Sequence, residues 1–312
     1  MSIHQGLSQP SLSERDRAQV AALTRLTRRL HISNAIASSI LWLIAGLVTL
    51  IFVSIIVKLL IDGAPSLISV SFYGTGPEGI AKELFNTFYI LILAELFLFP
   101  ISLAAAIYLI EYTPQGRLVT TIHFAAETLA GVPSLVLGMF GFLAFGVYAH
   151  MGTSRLAGAL TLLCLNLPLA LRLFEDALVA VPRELREGGL ALGATKWRTI
   201  RTVVLPSALP GLVTGLILTA GKITGEAAAL LFTMGLFNPA NVFDLNPLIA
   251  SDTLTTRLYY ITGQGVGTTG LSSAQETALA AGIAAVLILL LLLINVSARI
   301  IGRSIQHKIT AA

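Results

Sequence analysis

Six long apolar stretches divide the chain, and polar segments separate them. The stretches cover 35–61, 85–110, 124–149, 156–174, 209–233 and 277–301. Each comes close to or exceeds the roughly 20 residues that a helix needs to cross a bilayer. None alternates with period two, so membrane-spanning strands are excluded. The first stretch begins too late and is too long for a signal peptide. The pattern predicts an all-α polytopic membrane protein with six transmembrane helices.

Composition supports this prediction. Of 312 residues, 55% are hydrophobic and 12% are charged, against about 25% charged residues in soluble domains, and the mean hydropathy is +0.84. These values exclude a disordered chain, a nucleic-acid-binding domain and a typical cytosolic enzyme. The single cysteine, Cys164, excludes an internal disulfide and a cysteine metal cluster.

The cations predict an orientation. If the N-terminus is cytoplasmic, the inside segments are 1–34, 111–123, 175–208 and 302–312, which with the adjoining helix ends hold fifteen of the 20 Lys and Arg residues. Three lie in outside loops and two within spans: Lys82, Arg155, Arg257, Lys58 and Lys222. This asymmetry predicts that both termini are cytoplasmic. Residues 14–30 predict a basic helix, which either contacts membrane lipid at the inner leaflet or is a solvated lead-in. The outside loops 62–84 and 234–276 are rich in Gly, Pro and Asn and predict irregular structure or short helices.

The long inside loop, 175–208, has helical periodicity although it is charged. Its apolar positions recur at steps of three, four and seven residues: Leu178, Val181, Leu185 and Leu192. We expect Gly193 to break this helix, and a second short helix around 196–204 to end at Leu205-Pro206. A projecting helix–Gly–helix unit suits docking into a partner's groove; a solvated amphipathic connector is the alternative.

The loop also contains a spaced motif. Glu187-Gly188-Gly189 is followed after three residues by Gly193, and after nine more by Val203-Val204-Leu205-Pro206. The spacing resembles the EAA loop of ABC-importer permeases, with Gly at both Ala positions and Val in place of Ile. The resemblance implies a type I permease fold with a MetI-like core. It also implies that this loop is the coupling helix, which sits in a cleft of the ATPase subunit and passes its closure to the membrane helices. Each extra glycine is expected to weaken the helix by about 1 kcal/mol relative to Ala.

Four further segments narrow the resemblance: 106–112, 130–138, 167–175 and 225–233. They look like the A-type permease of the phosphate-specific importers, over roughly 84–302. Ala227 and Ala229 replace the usual Thr and Pro, and Lys222 stands where Arg is usual. The organisation expected is a cytoplasmic segment 1–34, a first transmembrane helix 35–61, a permease domain 84–302 and a cytoplasmic tail 303–312. The implied substrate is inorganic phosphate; another oxyanion, such as phosphonate, sulfate or molybdate, is the alternative.

Charges at membrane depth mark a candidate substrate path, because each costs about 2.5–3.5 kcal/mol to insert. Lys222 and Glu226 are four residues apart and are expected to share a helix face. They either form a packing pair or place Lys222 on an anion path, with Glu226 holding it between substrates; Glu226 pairing with Arg172 is a further option. Thr128 and Ser134 are candidate lining residues beside Pro133, or mark only a kink.

Three other charges lie within the predicted spans or at their ends. Glu95, midway along the second span, is either protonated or faces a polar interior. Glu127 is expected to be interfacial, at the start of the third span. Lys58 can extend its amine to the membrane surface and needs no special role.

The sequence lacks the motifs for nucleotide binding, metal binding and catalysis. The nearest approach to a P-loop, Gly215 to Ile223, has the wrong spacing and no hydroxyl after the Lys. The histidines are scattered without metal-ligand spacing: His4, His31, His123, His150 and His307. No catalytic residues are assembled, so the chain is predicted to be no enzyme and to bind no cofactor, with ATP and Mg²⁺ acting on the partner ATPase.

The resemblance implies partners and a location. The partners are a homologous second permease, two cytoplasmic ATPase subunits and an extracytoplasmic phosphate-binding protein that delivers the anion at loops 62–84, 150–155 and 234–276. The location is the cytoplasmic membrane of a bacterium or archaeon, and the mechanism is alternating access driven by ATP. The alternatives are a secondary anion transporter without an ATPase and a non-transporting membrane scaffold.

Overall fold

The computed structural model describes residues 14–114, 116–235, 243–263 and 270–310, of which 14–30, 32, 298 and 303–310 are described by their backbone only. The predictions for residues 1–13, for 236–242 and 264–269 of the second outside loop and for the last two residues of the tail lie outside this part. Within it, the secondary structure is helical and contains no strand. The first helices are α1 (Glu14–Ile68), α2 (Ala81–Ile107), α3 (Arg117–Ala130), α4 (Ser134–Gly141) and α5 (Arg155–Val179). The later helices are α6 (Arg183–Ala191), α7 (Lys196–Thr199), α8 (Leu205–Gly225), α9 (Ala228–Thr233), α10 (Leu254–Gly263) and α11 (Ser273–Thr310).

The chain divides into two compact units at Lys58. In the first unit, α1 begins at Glu14, so the predicted basic helix is continuous with the first predicted span. In the second unit, α1 ends at Ile68 and is followed by a 3₁₀ turn, Ser71–Tyr73. The prediction of irregular structure or short helices at 62–84 is confirmed for 69–80, whereas 62–68 and 81–84 belong to the long helices α1 and α2.

Five helices of the described chain are long and apolar enough to cross a membrane: Ser33–Ile68, Ala81–Tyr112, Arg155–Val179, Lys196–Gly225 and Ser273–Gly302. The predicted stretch 124–149 instead forms α3 and α4, bent by 99° at the break between them. Pro133 explains the break, because it has no N–H for a helical bond and disfavours helical backbone at the preceding residue. The all-α polytopic fold is confirmed, with six spans when the bent pair is one.

Helices α2, α5 and α8 form the main core, which holds the fully buried Leu98, Leu162 and Phe174. Small residues allow α5 and α8 to approach: a Cβ at Gly211 would lie 2.7 Å from the Ala177 side chain, and one at Gly215 would lie 3.0 Å from the Phe174 ring. Close packing at small residues is a main source of helix association within membranes.

The long charged loop 175–208, called here the EAA-like loop, is mostly helical. Gly193 has the left-handed φ of +80°, which confirms the predicted turn. The predicted end at Leu205-Pro206 is wrong, because α7 passes through a π-helical turn, Ile200–Val204, directly into α8. Pro206 is the second residue of α8 and closely follows this π-helical turn.

The predicted span 209–233 is also broken. Helix α8 ends at Gly225, and Glu226 has extended backbone (φ −78°, ψ 125°) before α9 begins at Ala228. Lys222 therefore lies in the last turn of α8, whereas Glu226 lies outside either helix.

Candidate functional site

A cavity of about 460 Å³ lies between α3, α5 and α8. We call it the α3–α5–α8 cavity. Alongside apolar side chains, its lining contains one histidine, two cations and three carboxylates: His123, Arg172, Lys222, Glu127, Glu175 and Asp176.

The cavity brings together two of the predicted path residues. Arg172 of α5 and Lys222 of α8 both line it, and both side chains are exposed. Among the described residues, neither takes part in a hydrogen bond or ion pair. The cavity thus presents two free cationic donors.

Glu226 does not join them. Its carboxylate Oε1 accepts a hydrogen bond from the backbone N–H of Ala229 at 3.2 Å and so caps α9. The predicted helix-face pair with Lys222 is wrong because the helix ends at Gly225, and within the described chain Glu226 does not pair with Arg172 either.

Thr128 and Ser134 flank the 99° bend and are absent from the cavity lining. The Thr128 hydroxyl donates to the backbone carbonyl of Phe124 at 2.7 Å. Ser134 is the first residue of α4.

Four titratable lining groups were not predicted as site residues: His123, Glu127, Glu175 and Asp176. His123 Nε2 lies 3.1 Å from both carboxylate oxygens of Glu175 and joins α3 to α5. Glu127 was predicted at the start of a span, but α3 begins earlier, at Arg117, and places Glu127 near its C-terminal end. Helical spacing could have predicted these groups. His123 and Glu127 are four residues apart, as are Arg172 and Asp176, so each pair lies on one face of its helix.

Glu95 faces the interior of the bundle and does not line the cavity. Its Oε1 accepts a hydrogen bond from the Thr219 hydroxyl at 2.6 Å, which links α2 to α8 one turn before Lys222. Its Oε2 is buried and has no hydrogen-bond partner within the described chain.

The EAA-like loop has exposed motif residues on its surface, and a partly buried set of hydrogen bonds attaches it to neighbouring helices. Glu187 and Gly188 are exposed, as are Leu192 and Trp197. Arg186 makes the anchor: its Nε donates to Glu111 Oε1 at 2.9 Å, and its two Nη atoms donate to the carbonyls of Val181 and Leu178, each at 2.6 Å.

Glycine has a packing role at one motif position. A Cβ at Gly189 would lie 2.8 Å from Thr199 Cγ2, whereas one at Gly188 would meet no atom within 4 Å. Leu205 and Pro206 begin α8 and are part of its first turn.

The predicted outside cations lie in buried networks. Arg155 is fully buried; its Nε donates to Ser251 Oγ at 2.7 Å and its Nη2 to Asn86 Oδ1 at 2.6 Å. Its guanidinium carbon lies 4.7 Å from the centroid of the Tyr89 ring. These contacts attach the segment after 243 to the starts of α2 and α5.

A second network, called here the ion cluster, consists of Lys82, Glu83, Asp252 and Arg257. Lys82 Nζ lies 3.5 Å from Glu83 Oε1 and 3.6 Å from Asp252 Oδ1, and Arg257 Nη1 donates to Glu83 Oε1. Burial, reinforced by the Glu83 charge, raises the pKa of Asp252 from 3.8 to about 6.

The sequence has relatives with which it aligns over most or part of its length. It is 36% identical over 296 residues to a probable ABC transporter permease protein, YqgI, of Bacillus subtilis, covering 90% of this chain and 98% of that one. It is 37% identical over 176 residues to the phosphate transport system permease protein PstA 1 of Mycobacterium tuberculosis H37Rv, covering 55% of this chain and 57% of that one.

The fold has solved counterparts. An inward-facing structure of the MetNI methionine ABC transporter matches with a TM-score of 0.58 at 22% identity, covering 72% of this chain and 95% of that chain. A bacterial alginate ABC transporter, in complex with an alginate pentasaccharide-bound periplasmic protein, matches with a TM-score of 0.53 at 16% identity, covering 84% and 95%. The predicted type I permease architecture is confirmed.

A family model settles the class of protein. The model described as "Binding-protein-dependent transport system inner membrane component" matches residues 99–311. This match, and the similarity along nearly the whole of YqgI, exclude the secondary-transporter and scaffold alternatives. The chain belongs to this family of inner-membrane ABC-importer permeases, in which ATP hydrolysis resides in a separate subunit.

Proposed function

We propose that this permease moves inorganic phosphate through the α3–α5–α8 cavity by alternating access. The observation that carries the proposal is the pair of unpaired cations, Arg172 and Lys222, in one cavity. Guanidinium and ammonium groups are strong donors to phosphate oxygens. An anion path also requires weak binding so that the ion can leave, and the carboxylates in the same lining limit the net positive charge.

Connectivity supports a coupling role for the EAA-like loop. The loop joins α5, which carries Arg172, to α8, which carries Lys222. A displacement of the loop therefore acts on both helices that supply cations. We assign contact with an ATPase to Glu187, Gly188, Gly189 and Gly193, with Leu205 and Pro206 passing the movement into α8.

The substrate assignment draws on the relatives named as phosphate permeases. The working complex would contain a homologous second permease, two cytoplasmic ATPases and an extracytoplasmic phosphate-binding protein, with both termini of this chain cytoplasmic. Path roles for Glu226, Thr128 and Ser134 stay predictions, and another oxyanion stays the alternative substrate.

Uptake of radiolabelled phosphate by proteoliposomes containing the whole complex tests the proposal. Replacing Arg172 or Lys222 by Ala should lower uptake by roughly 10- to 100-fold, the equivalent of one hydrogen bond to a charged group. Lys222→Arg should retain most uptake because the positive charge remains.

Lys58→Ala is the matched control, because Lys58 is an exposed cation of α1 outside the cavity. Normal uptake by assembled Lys222→Ala and Arg172→Ala complexes would refute the path. Uptake of sulfate or molybdate in preference to phosphate would refute the substrate.

A further inference from the structure

The α3–α5–α8 cavity combines its cations with free carboxylates. Glu127 and Asp176 line it with exposed side chains, and among the described residues neither carboxylate has a hydrogen-bond or ion-pair partner. Glu175 differs, because His123 Nε2 lies within hydrogen-bond distance of both of its oxygens. Limiting the net positive charge requires carboxylates in the lining, but it does not require that two of them be free to accept hydrogen bonds from the anion.

The geometry points to a selectivity filter for protonated oxyanions: Arg172 and Lys222 bind the anion's unprotonated oxygens, and Glu127 and Asp176 accept hydrogen bonds from its O–H groups. This inference rests on the proposed function, in which the cavity is the anion path. It adds that the carboxylates choose among anions of similar shape.

The chemistry of the anions makes this choice possible. At neutral pH, phosphate and arsenate keep at least one proton, whereas sulfate and molybdate keep none. An O–H group forms a short, strong hydrogen bond to a carboxylate. An anion without a proton offers the carboxylate only like-charge repulsion, which is how a recognition site rejects a close analogue.

The test must bypass the extracytoplasmic binding protein, which has a selectivity of its own. Ala126 lines the cavity, so Ala126→Cys in a Cys164→Ser background places one thiol there. The complex, purified without the binding protein, is labelled with a maleimide in phosphate, arsenate, sulfate or molybdate at matched ionic strength. The labelling rate then reports occupancy of the cavity without any transport step.

We expect phosphate and arsenate to slow labelling at concentrations about tenfold lower than sulfate or molybdate, a ratio that corresponds to one discriminating hydrogen bond. The double variant Glu127→Gln, Asp176→Asn should reduce this ratio to about twofold, because an amide can donate to an unprotonated oxygen. Asp62→Asn, which neutralises an exposed carboxylate of α1 outside the cavity, should leave the ratio unchanged.

The outcomes separate the two proposals. If no oxyanion slows labelling of the starting protein, the cavity is not the path and the proposed function fails. If all four anions protect equally, the path stands and the selectivity inference fails. The inference also fails if the double variant keeps the tenfold ratio. Should the double variant not fold, Glu127→Gln and Asp176→Asn are measured singly, and each must lose part of the ratio.

Discussion

At the residue scale, the ion cluster contains two carboxylates in different situations. Glu83 is 1% exposed and contacts both Lys82 and Arg257. Asp252 is equally buried and lies 3.6 Å from Lys82 Nζ, but neither of its carboxylate oxygens has a hydrogen-bond partner within the described chain. The same cluster therefore contains one carboxylate whose charge neutralises buried cations and one whose charged form is disfavoured by burial.

The first prediction compares these carboxylates by amide substitution. Glu83→Gln should lower the free energy of unfolding by about 3–5 kcal/mol at neutral pH, because it removes a counter-charge that the buried Arg257 contacts directly. Asp252→Asn should leave the free energy of unfolding nearly unchanged at the same pH, or raise it. Chemical unfolding of the purified protein in mixed micelles measures both, and equal losses would contradict the distinction.

The pKa of Asp252 adds a pH dependence of known sign. Folding raises this pKa from 3.8 to about 6, so the folded protein holds the proton more tightly than the unfolded chain. Protonation of Asp252 therefore stabilises the folded protein. This contribution to the free energy of unfolding is fully present below about pH 4 and is lost as the pH rises through about 6. Asp252→Asn should flatten this part of the stability profile, and an unchanged slope would show that another group titrates.

At the element scale, α6 shows that neighbouring glycines can differ in role. Gly188 faces open space, and Gly189 packs against the Thr199 side chain of α7. At position 188, glycine only weakens the helix. At position 189, glycine is required because α6 and α7 approach each other closely there.

The resulting prediction is a difference between two single substitutions. Gly188→Ala should stabilise α6 by up to about 1 kcal/mol, since Ala is the better helix former. Gly189→Ala should gain less or lose stability, because Thr199 must move to admit the new Cβ. Hydrogen–deuterium exchange of the α6 amides measures the local effect.

A compensating change provides the control. If crowding at Thr199 is the cause, Gly189→Ala combined with Thr199→Ala should recover the protection gained by Gly188→Ala. Equal protection in the two single variants would refute the packing role of Gly189.

At the scale of the whole molecule, one side chain anchors the EAA-like loop to the membrane helices. Arg186 of α6 contacts Glu111, at the end of the second span, and two carbonyls at the end of α5 and just after it. Leu192 is 90% exposed at the turn beyond α6 and is free to contact a partner. The anchor and the exposed surface are therefore separate parts of one loop.

Substitution of the anchor should separate docking from coupling. Arg186→Met should leave the ATPase bound while phosphate uptake per ATP hydrolysed falls severalfold, because the loop loses its hydrogen-bonded link to Glu111 of the second span. Arg183→Met is the matched control, since Arg183 lies on the same helix and has no partner within the described chain. Co-purification and paired uptake and ATPase assays measure the two effects. Dissociation of the ATPase from Arg186→Met would contradict the separation.

The sequence alone determined the membrane class, the apolar segments and the turn at Gly193. These features depend on residues that are neighbours in the chain: about 20 apolar residues must span a bilayer, and a glycine readily adopts a positive φ. The spacing of Glu187, Gly193 and Leu205-Pro206 likewise indicated the permease family, because that motif is local.

Only the tertiary structure decided where the charges meet. Sequence spacing paired Lys222 with Glu226, but the end of α8 at Gly225 separates them and leaves Lys222 to line a cavity with Arg172. The contacts Arg186–Glu111 and Arg257–Glu83 join residues 75 and 174 positions apart. Local periodicity cannot predict such pairs, because the positions of helix breaks and the packing of helices determine which distant side chains meet.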